Sequence, residues 1–276
     1  MKTARLFMRD INHGINKKWY LLLFPMLVVA IQMPAIQDSI HLINTAYNMP
    51  GKGTVMDYIM YCMQGMNVYK FDPKEAFQIP IHWFMIQIYA AYFVANYAYD
   101  DYAGNGKNIF IACRDRSSWW ISKCLWCICA VLVYYATVFF SIYVSATYYG
   151  AEPSLRCSKE IGANILSGNL LGMSARECVI VAIIVPVVVT IGVSMLQMLL
   201  SFIVSSVVSF AIVAGMYVVS AYYTSWFLVG SYTMILRSNY ITKDGMVSST
   251  GLMLGVAMIF ATISFGKIYF EERDIL

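Results

Sequence analysis

Three cysteines, Cys124, Cys127 and Cys129, stand close together, and the first two have the C-x-x-C spacing of a reactive thiol pair. Such a pair does redox chemistry where its surroundings are oxidising and its thiols can ionise. This one opens a long apolar run, so small packing cysteines are the plainer reading and an intramembrane thiol-redox enzyme the rival one. His13, His41 and His82 are far apart and suggest no metal centre. Neither G-x-S-x-G nor H-E-x-x-H occurs. The phosphate-binding pattern G-x-x-x-x-G-K-[ST] fails at both Gly51-Lys52 and Gly106-Lys107. No catalytic residues are assigned.

Polar side chains do recur at helical spacing inside apolar runs. Tyr89, Tyr92, Asn96 and Tyr99 fall on one face of a helix. Thr190, Ser194, Gln197, Ser201 and Ser205 share a face of another, and Tyr217, Ser220 and Thr224 of a third. Two readings fit them: a hydroxyl-lined translocation path, or small polar residues that let helices pack closely and hydrogen-bond. The tyrosines and Asn96 are too large for close-approach packing, which weakens the packing reading for that stripe and leaves both open.

The elements that must carry these stripes are membrane helices. Of 276 residues, 60% are hydrophobic and only 12% charged, half the charged share of about 25% in soluble domains. The mean hydropathy is +0.63. A bilayer core needs about 20 apolar residues per helix, and six runs qualify: 19–36, 81–99, 124–148, 178–204, 207–228 and 249–266. The expected fold is therefore an all-α integral membrane protein, one membrane domain over 1–276. The stretch from Val179 to Leu228 is too long for one crossing and must break near Ser205–Ser209. Pro25 and Pro186 lie inside runs and predict kinks.

An even number of crossings puts both termini on one side. Head, tail and the segment after the second run hold eleven of the nineteen Lys and Arg residues, more densely than the other loops. The positive-inside bias places them in the cytoplasm. Before the first run, Leu6, Phe7, Ile11 and Ile15 lie near one face among basic residues, as in an interfacial helix. The long loop 37–79 and the loop 149–177 read as short helices at the outer surface, either an interfacial belt or a lid. Cys62, Cys157 and Cys178 lie outside and could pair in several ways. With a net charge of +4 and no basic block, nothing points to nucleic acid.

Asp100 and Asp101 end the second run at a helix C-terminus, where acids are unfavourable. Something must hold them, and Arg114, Arg116 and Lys123 follow nearby. Between them, Ile109, Phe110 and Ile111 are apolar, and Trp119 and Trp120 are placed to mark the interface. The chain resembles the permease of type-2 ABC exporters. The likeness rests on the basic amphipathic head, the Asp100-Asp101 end, the segment RDRSSWWISK, the nearly fused fourth and fifth runs, and the tail FGKIYFEERDIL.

That resemblance implies a cytoplasmic coupling helix whose residues dock a separate P-loop ATPase: Asp100, Asp101, Phe110, Ile111, Arg114, Arg116, Trp119, Trp120 and Lys123. Two ATPase copies would bind and hydrolyse ATP with magnesium, while this chain binds no cofactor. A second permease chain, identical or homologous, would complete the path in a bacterial plasma membrane. Family habit puts amphipathic peptides, lantibiotic-like bacteriocins among them, first as cargo, and lipids or drugs after. A non-transporting membrane scaffold or sensor is the remaining alternative.

Overall fold

The computed structural model describes residues 2–48, 51–70, 76–106, 116–158, 161–166, 173–242 and 244–272. Among them regular structure is helical, with isolated bridges at Thr54–Glu152 and Ser238–Met246. The chain opens with α1 (Lys2–Gly14), a 3-10 stretch (Asn16–Leu22) and α2 (Leu23–Tyr47). There follow α3 (Val55–Met63), α4 (Ile81–Ala95), α5 (Tyr97–Asp101) and α6 (Arg116–Tyr148). The remainder comprises α7 (Ile161–Ile165), α8 (Ala175–Val179), α9 (Val185–Ile203), α10 (Ser206–Tyr222) and α11 (Ser248–Glu272).

Among the described residues, four helical stretches are long and apolar enough to cross a membrane: Asn16–Tyr47, Arg116–Tyr148, Ala175–Ile203 and Ser248–Glu272. Three of them leave much of their apolar surface exposed, as at Leu27, Ile31, Phe140, Met253 and Phe260. Water would not tolerate so much exposed hydrocarbon; lipid does. The protein is an all-helical membrane protein.

Hydrogen bonds fix which helix ends lie together. At one end, α1 bonds to α5 and to the start of α6 through Tyr97, Ser122 and Lys123. Here too the start of α6 meets the end of α11, where Arg116 donates to the Glu271 carbonyl. Tyr269 near that end donates to the Phe202 carbonyl near the end of α9. At the opposite end, the start of α3 is bonded to the residues after α6, and Arg237, beyond α10, bonds to the carbonyls of Met66 and Asn67. The apolar helices therefore run alternately up and down.

Local sequence explains the interruptions. Ser205 caps α10 by accepting from the Val208 N–H at 3.2 Å, which divides the long apolar stretch there. Pro186 has no N–H to give, and a π turn at Ile180–Ile184 precedes it and resets the helix. Pro25 lies in the first turn of α2, where the missing donor is harmless, and the proline inside that helix is Pro34. The fifth apolar helix stops at Tyr222 rather than continuing to Leu228, because the chain turns extended at Tyr223. α9 and α11 cross closely: a Cβ on Gly192 would stand 2.8 Å from the Gly255 carbonyl oxygen.

α3 does not rest on a surface. Met56, Tyr58, Met60 and Met63 are fully buried, packed in the main hydrophobic core with residues of α2 and α6. A nine-residue helix that is apolar all round is satisfied only by enclosure.

Candidate functional site

The two acidic residues that end the second apolar run have different surroundings. Asp100 is exposed. Asp101 pairs with Arg9 of α1 and with Lys123 Nζ at 2.7 Å. Lys123 is 1% exposed and also holds Asp10 at 2.6 Å. Asp10 in turn accepts from Tyr97 Oη at 3.0 Å and Ser122 Oγ at 2.6 Å. The ammonium stands over the rings of Tyr97 and Trp119, 5.0 and 5.3 Å from their centroids. Two carboxylates, two cations and two hydroxyls thus join α1, α5 and α6 in one buried network. Charges so placed persist because each is paired and hydrogen-bonded.

This geometry revises the docking set. Lys123 is the partner of Asp101, as its position in sequence allowed, but its burial removes it from any docking surface. Trp119 and Trp120 are 1% and 0% exposed, so they mark no lipid interface and present no docking surface. They pack on Phe202 and Phe270, with ring centroids 5.1–6.2 Å away. Trp120 Nε1 donates to the Ile263 carbonyl at 3.2 Å, and the indole lies against Gly266, where a Cβ would collide with it. Arg116 is partly exposed and Ser117 bonds to Glu271, so the start of α6 holds the end of α11. Phe110, Ile111 and Arg114 lie outside the described residues.

The polar stripes divide into two kinds. Tyr92 and Tyr99 are 47% and 38% exposed, and Asn96 is exposed at the break between α4 and α5. Tyr89, one turn away, is half-buried: it stacks on Phe24 at 4.2 Å and donates to the Leu21 carbonyl at 2.9 Å. Thr190, Ser194, Gln197 and Ser201 are at most 1% exposed. Thr190 donates to Gln87 Oε1 at 3.1 Å and shares a hydrogen bond with Tyr135 Oη at 2.9 Å. Gln197 donates to the Ala91 carbonyl, and Ser201 to that of Met198. Tyr217 and Ser220 are buried, while Thr224 is exposed beyond the end of α10. Thr190 and Gln197 of the α9 stripe therefore bind α9 to neighbouring helices of the same chain, while Ser201 bonds within α9 and lines a cavity with Tyr99 and Phe202.

The C-x-x-C pair is interior as well. Cys124 and Cys127 are 2% and 0% exposed on the inward face of α6, away from any reagent. Among the described residues no three His, Cys, Asp or Glu side chains are grouped to hold a metal.

Besides Asp10, the sequence reading passed over further buried polar residues, Gln87, Asp57 and Arg237 among them. Gln87 accepts from Tyr135 and Thr190 at the centre of the bundle; its signal was an amide isolated in IHWFMIQIYA. Asp57 completes a capping box with Thr54 and accepts from the Ser158 N–H at 3.1 Å. Burial raises its carboxyl above the usual carboxylate range, against the opposing hydrogen bonds from Ser158 and Thr54. Arg237 is 0% exposed, and its guanidinium donates to the carbonyls of Met66, Asn67, Ser220, Ala221 and Tyr223. Burial lowers its pKa to about 10, which leaves it charged at neutral pH. Arg237 is the one charged residue between Glu177 and Lys243, and that isolation was the available clue.

Comparison with known families matches residues 18–276 to the family described as Protein of unknown function (DUF2705). The chain belongs to the DUF2705 family. No curated protein and no solved structure matches it. What a DUF2705 chain of this kind does has to be read from its own geometry.

Proposed function

We propose that this chain is the membrane subunit of an ATP-driven exporter, crossing a bacterial plasma membrane six times with both termini in the cytoplasm. The observation that carries the proposal is the network of Asp10, Lys123, Asp101 and Arg9. It clamps an amphipathic N-terminal helix against both ends of the short cytoplasmic segment between the second and third crossings. A segment so mounted can pass a push from a docked ATPase into α4 and α6 together. The alternating direction of the helices supports the six crossings, α4–α5 and α10 being the two shorter ones. Positive-inside charge supports the side.

Docking falls to residues 107–115 with the exposed Asp100 and the partly exposed Arg116. The export path is assigned to the face bearing Tyr92, Asn96 and Tyr99. An amide turned toward lipid is costly, so this face suits a second permease chain and an amphipathic cargo passing between the two, a peptide before a lipid or drug. ATP and magnesium belong to the partner. The interior position of Cys124 and Cys127 weighs against the thiol-redox alternative.

The test is purification of the full chain in a mild detergent from its native host. A P-loop ATPase should accompany it, and substituting Arg116 together with Arg114 by alanine should release that ATPase while the chain stays in the membrane. Export at full rate by the chain alone would overturn the reading.

A further inference from the structure

A partly open cleft of about 130 Å³ lies between α2, the end of α3 and the start of α4, with Gln32, Tyr61, Gln64, His82 and Trp83 in its walls. Those walls are fixed. Gln37 of α2 donates to Tyr58 Oη of α3 at 2.6 Å. The Gln64 carbonyl accepts from the Leu236 N–H at 3.0 Å, and Trp83 Nε1 donates to Thr233 Oγ1 at 3.0 Å. Gln32 is 1% exposed, and its amide oxygen has no hydrogen-bond partner among the described residues. A buried amide in that condition costs stability until something completes it. The first turn of α4 adds donors: its leading N–H groups have no carbonyl within the helix, and Pro80 ahead of them gives no side-chain cap. Among the described residues no Asp, Glu, Lys or Arg lines the cleft. At its mouth stand the exposed His82 and Ile81. Ile81, Met85 and Tyr92, spaced by four and seven, share one exposed face of α4. The cleft therefore sits at one end of the face assigned above to the cargo.

We propose that this cleft binds the backbone of an extended peptide, with the Gln32 side chain as its hydrogen-bond partner. A carboxamide carries an acceptor and donors side by side. An extended residue presents its own N–H and C=O on one side, the pair that neighbouring strands exchange in a sheet. Gln32 thus stands in for a neighbouring strand, and the α4 N–H groups take a further carbonyl. Other occupants match less of the site. A phosphate suits the α4 N–H groups but meets no Lys or Arg and gives the amide oxygen no donor. An ammonium suits that oxygen but faces the positive pole of α4. Hydrocarbon leaves the amide unsatisfied. The inference rests on the exporter reading and deepens it, giving the peptide cargo a site at the outer end of its path.

The test uses the full-length chain purified in mild detergent from its native host. The probe is a short, uncharged, end-blocked peptide carrying one diazirine-bearing leucine, which attaches to neighbouring groups on illumination; attachment points are mapped by mass. A counterpart replaces the peptide N–H groups by ester oxygens, and a diazirine-bearing phosphatidylcholine serves as the lipid probe. The peptide should attach to the segments carrying Gln32 and His82, and the ester about tenfold less, as for the loss of one or two hydrogen bonds. Gln32→Leu should abolish attachment and leave the unfolding temperature unchanged or higher, since an apolar side chain of similar size replaces an unsatisfied amide. A lower unfolding temperature would show that the amide is satisfied within the protein and would overturn the site. Equal attachment of ester and amide, or attachment of the lipid probe alone, would overturn it too, and that comparison needs no variant. The same preparation is scored for a P-loop ATPase. Peptide attached without an ATPase supports the site and removes the exporter. An ATPase without attachment overturns the site and leaves the exporter standing.

Discussion

The two ends of the bundle handle buried charge in opposite ways. At the α1 end, Lys123 is neutralised by the carboxylates of Asp10 and Asp101, side chains from separate helices. At the other end, Arg237 meets no carboxylate among the described residues and is solvated by five backbone carbonyls. Three of those, from Ser220, Ala221 and Tyr223, belong to the C-terminal end of α10, the negative pole of its dipole. A side-chain ion pair can re-form with other partners when helices move. A guanidinium whose partners are five main-chain carbonyls and the buried Ser231 hydroxyl has no such freedom. In the exporter proposed above, the first end is the one suited to move and the second the one suited to hold.

The sharpest way to break that comparison is Lys123→Met, which leaves Asp10 buried without a cation and Asp101 held by Arg9 alone. Its expected cost is about 3–5 kcal/mol, read as a fall in unfolding temperature in detergent. Adding Asp10→Leu should recover part of the loss, since an apolar pair replaces a broken ionic one. No recovery would mean that the network is not ionic in origin. Arg237→Lys should cost about 2 kcal/mol, because an ammonium cannot reproduce the planar fork toward Met66 and Ala221. A neutral outcome would remove the distinction between the ends. Smallest in stability is Tyr92→Leu combined with Asn96→Leu, expected within about 0.5 kcal/mol because both positions are exposed. Cargo flux should nevertheless fall, and unchanged flux would detach this face from transport.

Hydropathy and charge made the helical character, the amphipathic head and the break at Ser205 legible in the sequence, since each depends on local pattern. The partner of Asp101 was legible as well, because Lys123 is near it in the chain. Asp10 was not: it lies 113 residues from Lys123, and only tertiary packing shows that α1 brings a carboxylate inward. Trp119 and Trp120 misled for a related reason. A tryptophan pair beside an apolar run has the same sequence signature at a lipid interface and inside a helix junction, and Gly266, the residue that makes room for one of them, belongs to a distant helix. The polar stripes were correct as spacing, but spacing alone does not distinguish the enclosed face of α9 from the open face of α4.

The near contact of Gly192 with Gly255 has a mechanical consequence. Where main chains touch, there are no intervening side chains to act as rollers, and sliding one rod along the other would drive Cβ atoms into peptide oxygens. α9 and α11 therefore behave as a single girder. In the transport cycle proposed above, the pair would move as one body.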